Sequence, residues 1–196
     1  TGFKMQPGYL DAYALYFTKF VQAYEKEGIK IEAVNIQNEP CSTQKYASCT
    51  WRPEDMAYFI GKFLGPKFEK ENIQTEIFFG TINRDNPQYT KTALDDPIAS
   101  KYIKGVGFQW DGKGAIPTIH KEYPHLKMMH TEAECGNGSN DWGAAEHTWW
   151  QISHYMRNGA RVFTYWNMIL DQNGISPWGW KQNSLITINT ENGDVT

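Results

Sequence analysis

Between residues 9 and 27 apolar side chains recur at Leu10, Tyr13, Ala14, Phe17, Phe20, Val21 and Tyr24. That is the three-and-four spacing of a helix with one buried face, and Gly28 supplies its C-terminal stop. Residues 29–37 then read as a β-rich run that ends in the polar cluster Asn38-Glu39-Pro40. The same unit repeats. Pro53 opens a second helix through Met56, Phe59, Ile60, Phe63 and Leu64, ending near Gly65-Pro66 with a tail to about Glu71, and a strand is predicted at 75–79. Residues 86–101 carry helical signals broken by Pro97 and lead into a strand at 105–110. A short helix at 115–122 precedes a strand at 126–131. After a Gly/Asn-rich loop, Asp141 is placed to cap a helix running to Arg157, which Gly159 ends before a strand at 161–166.

Strands alternating with helices predict a parallel sheet with crossover helices, either an open doubly wound sheet or a (β/α)8 barrel. The residues just past each strand separate the two. Barrel enzymes assemble a site from several strand ends, whereas an open sheet concentrates it at one switch point, usually with a glycine-rich phosphate turn. Asn38-Glu39, Gln109-Trp110, Glu132 and Trp166-Asn167 all fall at the ends of predicted strands, and no G-x-G-x-x-G or Walker sequence is present. The expected fold is therefore an α/β (β/α)8 TIM barrel in part. Such a barrel needs about 250 residues, so five strands imply the C-terminal five, with the first three lying outside this chain. Residues 1–196 are read as one partial TIM-barrel catalytic domain.

Composition narrows the partners. With 19 Lys+Arg against 22 Asp+Glu and no basic stripe, nucleic acid is not an expected partner. No run approaches the ~20 apolar residues of a bilayer span, so no integral membrane segment is expected. The start Thr1-Gly2-Phe3-Lys4 lacks the layout of a signal peptide. Eight Trp, 11 Tyr and 10 Phe suit a site that stacks on sugar rings, although large aromatics also fill ordinary cores. Cys41, Cys49 and Cys135 are too few for a disulfide framework, and Cys41 and Cys49 flank a loop short enough to pair in an exported protein. Together with His130 the cysteines lack metal-ligand spacing, so no metal or cofactor is expected.

Cleaving a glycosidic bond requires one carboxyl group to protonate the leaving oxygen and a second to attack the anomeric carbon or activate water. Glu39 and Glu132 stand at equivalent positions on two different strands, which a barrel brings to one mouth. A retaining pair there is expected at about 5–5.5 Å. Asn38 sets a carboxamide beside the first acid, and Pro40 stiffens the turn.

The run Ala33-Val34-Asn35-Ile36-Gln37-Asn38-Glu39-Pro40 resembles the acid/base strand of glycoside hydrolase family 30, the glucosylceramidase family. Thr131-Glu132-Ala133-Glu134-Cys135-Gly136 resembles its nucleophile motif, and Thr164-Tyr165-Trp166-Asn167 the aromatic-Asn end of the eighth barrel strand. Phe63-Leu64-Gly65-Pro66, Asp96-Pro97 and Lys101-Tyr102 also fall where members have similar residues, so the likeness covers essentially the whole chain. It implies Glu39 as acid/base, Glu132 as nucleophile, Asn38 as a contact to the sugar 2-hydroxyl and Trp166 as a platform beneath the reacting sugar. Glu134 is the rival nucleophile; since strand residues alternate faces, Glu132 and Glu134 both point inward only where the chain leaves strand geometry. After the sixth barrel strand, the His-Trp-Tyr of mammalian glucosylceramidases is replaced by Gln109-Trp110-Asp111. That variation is closer to bacterial members, including β-1,6-glucanases, and makes Gln109 and Trp110 candidate substrate contacts. His130 and His147 read as structural histidines.

These expectations combine into a retaining β-glycosidase acting by double displacement on a carbohydrate or glycolipid, glucosylceramide-like or β-1,6-glucan, in an exported protein. The free site is expected to hold Glu132 ionised and Glu39 protonated. Two alternatives stand beside it: a non-catalytic carbohydrate-binding scaffold, and the same chemistry on a xyloside or fucoside.

Overall fold

The computed structural model describes residues 2–196. Five strands form a single parallel sheet: β1 (Ala33–Asn35), β2 (Glu76–Ile82), β3 (Ile103–Gln109), β4 (Lys127–Glu132) and β5 (Ala160–Phe163). Their spatial order follows the chain, β1-β2-β3-β4-β5, with every neighbouring pair parallel. A doubly wound sheet reverses its order at a switch point; this one never does, so it is an arc of a barrel.

Helices fill the crossovers: α1 (Pro7–Lys26) before β1, α2 (Pro53–Phe59) and α3 (Gly65–Lys70) before β2, α4 (Pro87–Leu94) before β3, α5 (Ala115–Glu122) before β4 and α6 (Trp142–Arg157) before β5. The α1 stripe buries Leu10, Ala14, Phe17 and Val21, and Gly28 follows its end at φ +78°. Asp141 caps α6 by accepting from the Ala144 amide at 2.9 Å, and Gly159 closes it at φ +84°.

Gly65-Pro66 does not end the helix, and the expected tail to about Glu71 is itself helical as far as Lys70. The rod continues through a π-helical turn at Ile60–Leu64 straight into α3. Pro66 has no N–H for an i−4 carbonyl and its ring crowds the preceding turn, and the wider π turn ahead of it relieves that conflict. Gly65 serves packing: a Cβ there would come within 2.3 Å of the Tyr102 ring. Phe63-Leu64-Gly65-Pro66 and Lys101-Tyr102 thus belong to one contact between the α2–α3 rod and the start of β3.

The outer strands are shorter than predicted. β1 covers only three of residues 29–37, and β5 stops at Phe163 instead of Trp166. Each has a single partner in the sheet, so the ladder defines the strand only where that partner runs alongside. A second, two-stranded parallel sheet, β6 (Ile169–Asp171) with β7 (Ile186–Ile188), was not predicted from the sequence. Three-residue strands give no usable alternation. Cys41, Cys49 and Cys135 are all free thiols, so the Cys41–Cys49 pair does not form here.

The unpartnered edges have a testable outcome. Val162 on β5 is 45% exposed, and large apolar groups at Trp149, Met168 and Leu185 are open to solvent. An open parallel edge beside exposed apolar surface is a template for association. Expressed as residues 1–196 alone, the chain is expected to self-associate, whereas a longer polypeptide carrying it runs as a defined species in size-exclusion chromatography with light scattering. A monodisperse monomer of the short chain would contradict this.

Candidate active site

One residue inserted into β4 decides where Glu132 points. Phe108 pairs with His130, but the next residue, Gln109, pairs with Glu132, so Thr131 is skipped. In an unbroken strand Glu132 would share a face with Met128 and His130. That face is buried: His130 is 0% exposed, stacked on Phe163 at 4.0 Å between centroids and against Tyr155 of α6 at 4.3 Å. The bulge turns Glu132 to the other face, alongside Gln109, as bulges next to sites re-aim a side chain.

Gln109 then couples the two candidate motifs. Its amide nitrogen donates to the Asn38 Oδ1 and to the Glu132 Oε2, each at 2.8 Å. The Gln109 side chain is fully buried, and its backbone carbonyl is fixed by the Tyr155 hydroxyl at 2.6 Å. It stands behind the carboxylate and orients it, instead of meeting a ligand directly as the sequence suggested. Asn38 Oδ1 also accepts from the Thr81 hydroxyl at 3.0 Å. With its oxygen held twice, the exposed Asn38 side chain has its amide nitrogen left to donate outward.

Glu39 follows at φ +45°, a left-handed conformation uncommon for a side chain of its size. Its amide donates to the Thr81 hydroxyl at 3.2 Å, and its Oε2 accepts from Gln44 Nε2 at 3.0 Å. The loop that carries Gln44 is tied down in turn, with Asn83 donating to Ser42 Oγ at 2.8 Å.

Glu39 and Glu132 line one cleft of about 670 Å³, together with Tyr46, Trp110, Trp166 and Trp180. The volume suits a ligand of a few rings. Trp166 is 43% exposed and therefore available as a platform. Burial pushes the Glu132 carboxyl up to about 7, and the negative charge of Glu39 adds to the rise. The Gln109 amide opposes this rise by donating to the Glu132 carboxylate at 2.8 Å.

Glu134 does not share this geometry. Its carboxylate reaches His147 at 3.0 Å and Lys113 at 3.7 Å on the cleft wall. His147 is therefore a half-exposed cleft residue rather than a buried structural one. His130 is structural, but neither ring nitrogen has a partner among the described residues, and burial lowers it to about 4, which keeps it neutral. Among the described residues no group of His, Cys, Asp and Glu is arranged to hold a metal ion. Among them, too, no helix is long and apolar enough to cross a membrane.

The sequence profile of the glycosyl hydrolase family 30 TIM-barrel domain matches residues 2–190. A Caenorhabditis elegans relative provisionally named a glucosylceramidase is 32% identical, covering 86% of this chain and 36% of its own length. The lysosomal acid glucosylceramidase of Mus musculus is 26% identical, with 89% and 38% covered. Among solved structures, an endo-β1,6-glucanase superposes with a TM-score of 0.84 at 25% identity, over 97% of this chain and 45% of that one. The chain thus spans less than half the length of the relatives it matches. By profile and strand order, the chain belongs to glycosyl hydrolase family 30 and forms part of its TIM-barrel domain.

Proposed function

We propose that residues 1–196 are part of the catalytic domain of a retaining β-glycosidase, in which Glu132 attacks the anomeric carbon and Glu39 serves as acid and then base. The observation that carries this reading is the hydrogen-bonded chain Asn38–Gln109–Glu132, which ties the ends of three strands at one cleft. In the first step Glu132 forms a bond to the anomeric carbon while Glu39 gives its proton to the departing oxygen. In the second, Glu39 takes a proton from water, which displaces Glu132 with the configuration restored. Asn38, with its amide nitrogen free, donates to the 2-hydroxyl, where a hydrogen bond that strengthens at the transition state lowers the barrier most. Trp166 stacks beneath the reacting sugar.

The substrate is a β-glucoside, and a β-1,6-glucan fits better than a lipid. Asn137, Ser139 and Asp141 lie exposed along the same cleft as the tryptophans, and an alkyl chain would desolvate such groups without replacing their hydrogen bonds. Export from the cytoplasm fits the same reading, given the lysosomal relative. The test is product stereochemistry: the full-length protein hydrolysing an aryl β-glucoside should release β-glucose first, seen by proton NMR before mutarotation. Release of the α-anomer would mean an inverting site. Absence of turnover with intact sugar binding would favour the non-catalytic scaffold.

A further inference from the structure

Glu134 takes no part in the steps above, yet side chains from two separate elements hold it. Its Oε2 is 3.0 Å from His147 Nε2, on α6. Its Oε1 is 3.7 Å from Lys113 Nζ, just past the end of β3. Lys113 is fixed independently: its ammonium donates to the Trp110 carbonyl at 3.1 Å and lies 5.3 Å from the centre of the Trp110 ring. A stacked row along α6, His147–Trp150–His154, runs back to the same place, where His154 Nε2 bonds the Lys113 carbonyl at 2.6 Å. The carboxylate is nevertheless about one-third exposed, and with Trp110 and His147 it lines the cleft that contains Glu39 and Glu132.

A carboxylate that is oriented from behind and open in front is an acceptor for hydroxyl groups. Each oxygen has two lone-pair directions, and His147 and Lys113 use only part of that capacity. Two adjacent hydroxyls of a sugar ring match the remaining directions, and charge-assisted O–H···O⁻ bonds are about twice as strong as neutral ones. Trp110 beside them offers an apolar ring for the sugar's C–H face. An acyl chain placed there would strip water from Glu134 and Lys113 and return nothing.

We infer that Glu134, held by His147 and Lys113 beside Trp110, forms a second sugar subsite that binds a neutral hexose unit next to the reacting one and selects glycan over lipid. This rests on the glycosidase reading of the same cleft. The subsite makes Glu134 a specificity determinant, and the rival role of nucleophile falls away.

The test uses the full-length protein with Glu132→Gln, so that binding is read without turnover. Affinities for β-1,6-linked glucotriose and for methyl β-glucoside are measured by calorimetry, with and without Glu134→Ala. Glu134→Ala is expected to weaken the triose about tenfold more than it weakens the monoglucoside. Should the alanine variant fail to fold, the isosteric Glu134→Gln carries the same comparison, with an expected differential of about threefold because an oxygen acceptor remains. Equal losses on both sugars, or none on either, would overturn the subsite. Failure of the glycosidase reading looks different: the unsubstituted protein would not turn over an aryl β-glucoside, whatever the comparison of the two sugars shows.

Discussion

Glu132→Gln is expected to lower turnover of an aryl β-glucoside by about 10⁴-fold or more, the scale seen when a covalent nucleophile is removed. The replacement is nearly isosteric, and its side-chain oxygen still accepts from Gln109 at the position now 2.8 Å away. The loss is therefore chemical, not structural. In the unsubstituted protein the same residue sets a pH limb. With its carboxyl pushed up to about 7, kcat/KM should fall as pH drops through about 7 and Glu132 takes up a proton. A profile flat from pH 5 to 8, or a Glu132→Gln enzyme with ordinary turnover, would remove Glu132 from the mechanism.

The same substitution should stabilise the fold, and the sign comes from linkage. A carboxyl whose folded value is raised above its ordinary 4.5 favours the protonated form in the native state. Its contribution to stability is fully present below the unfolded value and is lost as pH rises through about 7. Removing the charge restores about 1–2 kcal/mol at pH 8 once solvent screening of a partly exposed group is allowed for. Glu132→Gln should then melt a few degrees higher than the unsubstituted protein at pH 8, with little difference at pH 4. A lower melting temperature at pH 8 would mean that the Glu132 anion is stabilised overall where it sits. Gain in stability with loss of activity is the usual mark of a group kept for chemistry.

Much of the architecture was legible because the patterns that encode it are local. The α1 stripe, the Asp141 cap of α6 and the glycine stops each depend on residues within a turn or two of one another. Placing Asn38, Glu39 and Glu132 at strand ends likewise needed only strand boundaries and family motifs. The orientation of Glu132 was not legible. It depends on the skipped Thr131 between β3 and β4, a register between two chain segments that no single run of residues displays. Gln109 was read as a ligand contact for the same reason: its strand-end position was visible, but its burial behind Glu132 was not. The grouping of Glu134 with Lys113 and His147 joins three elements with no common motif. The π turn at Ile60–Leu64 was hidden because Pro66 normally signals the end of a helix, and only the continued packing of α3 shows that the rod survives.

Loss of the acid/base should be recognisable by how it varies with the leaving group. Removing a positioned proton donor costs about 10²–10⁴-fold in rate, but only where the departing oxygen needs that proton. For Glu39→Ala, hydrolysis of a glucosyl–glucose bond should collapse by that amount. Departure of dinitrophenol, already stable as an anion, should be little affected. The second step still lacks its base, so the glycosyl-enzyme should accumulate and appear as a burst of dinitrophenol followed by slow turnover. Azide, an anion that needs no proton removed, fits the space vacated by the side chain and should restore the rate by forming β-glucosyl azide. Glu39→Gln is the control for folding, because it leaves an acceptor for the Gln44 amide that now bonds Glu39 at 3.0 Å. The left-handed backbone at Glu39 is anchored by Thr81 and not by the carboxylate, so neither variant should shift the loop. Equal losses on both substrates, with no response to azide, would take the proton-transfer role away from Glu39 and leave it a binding residue.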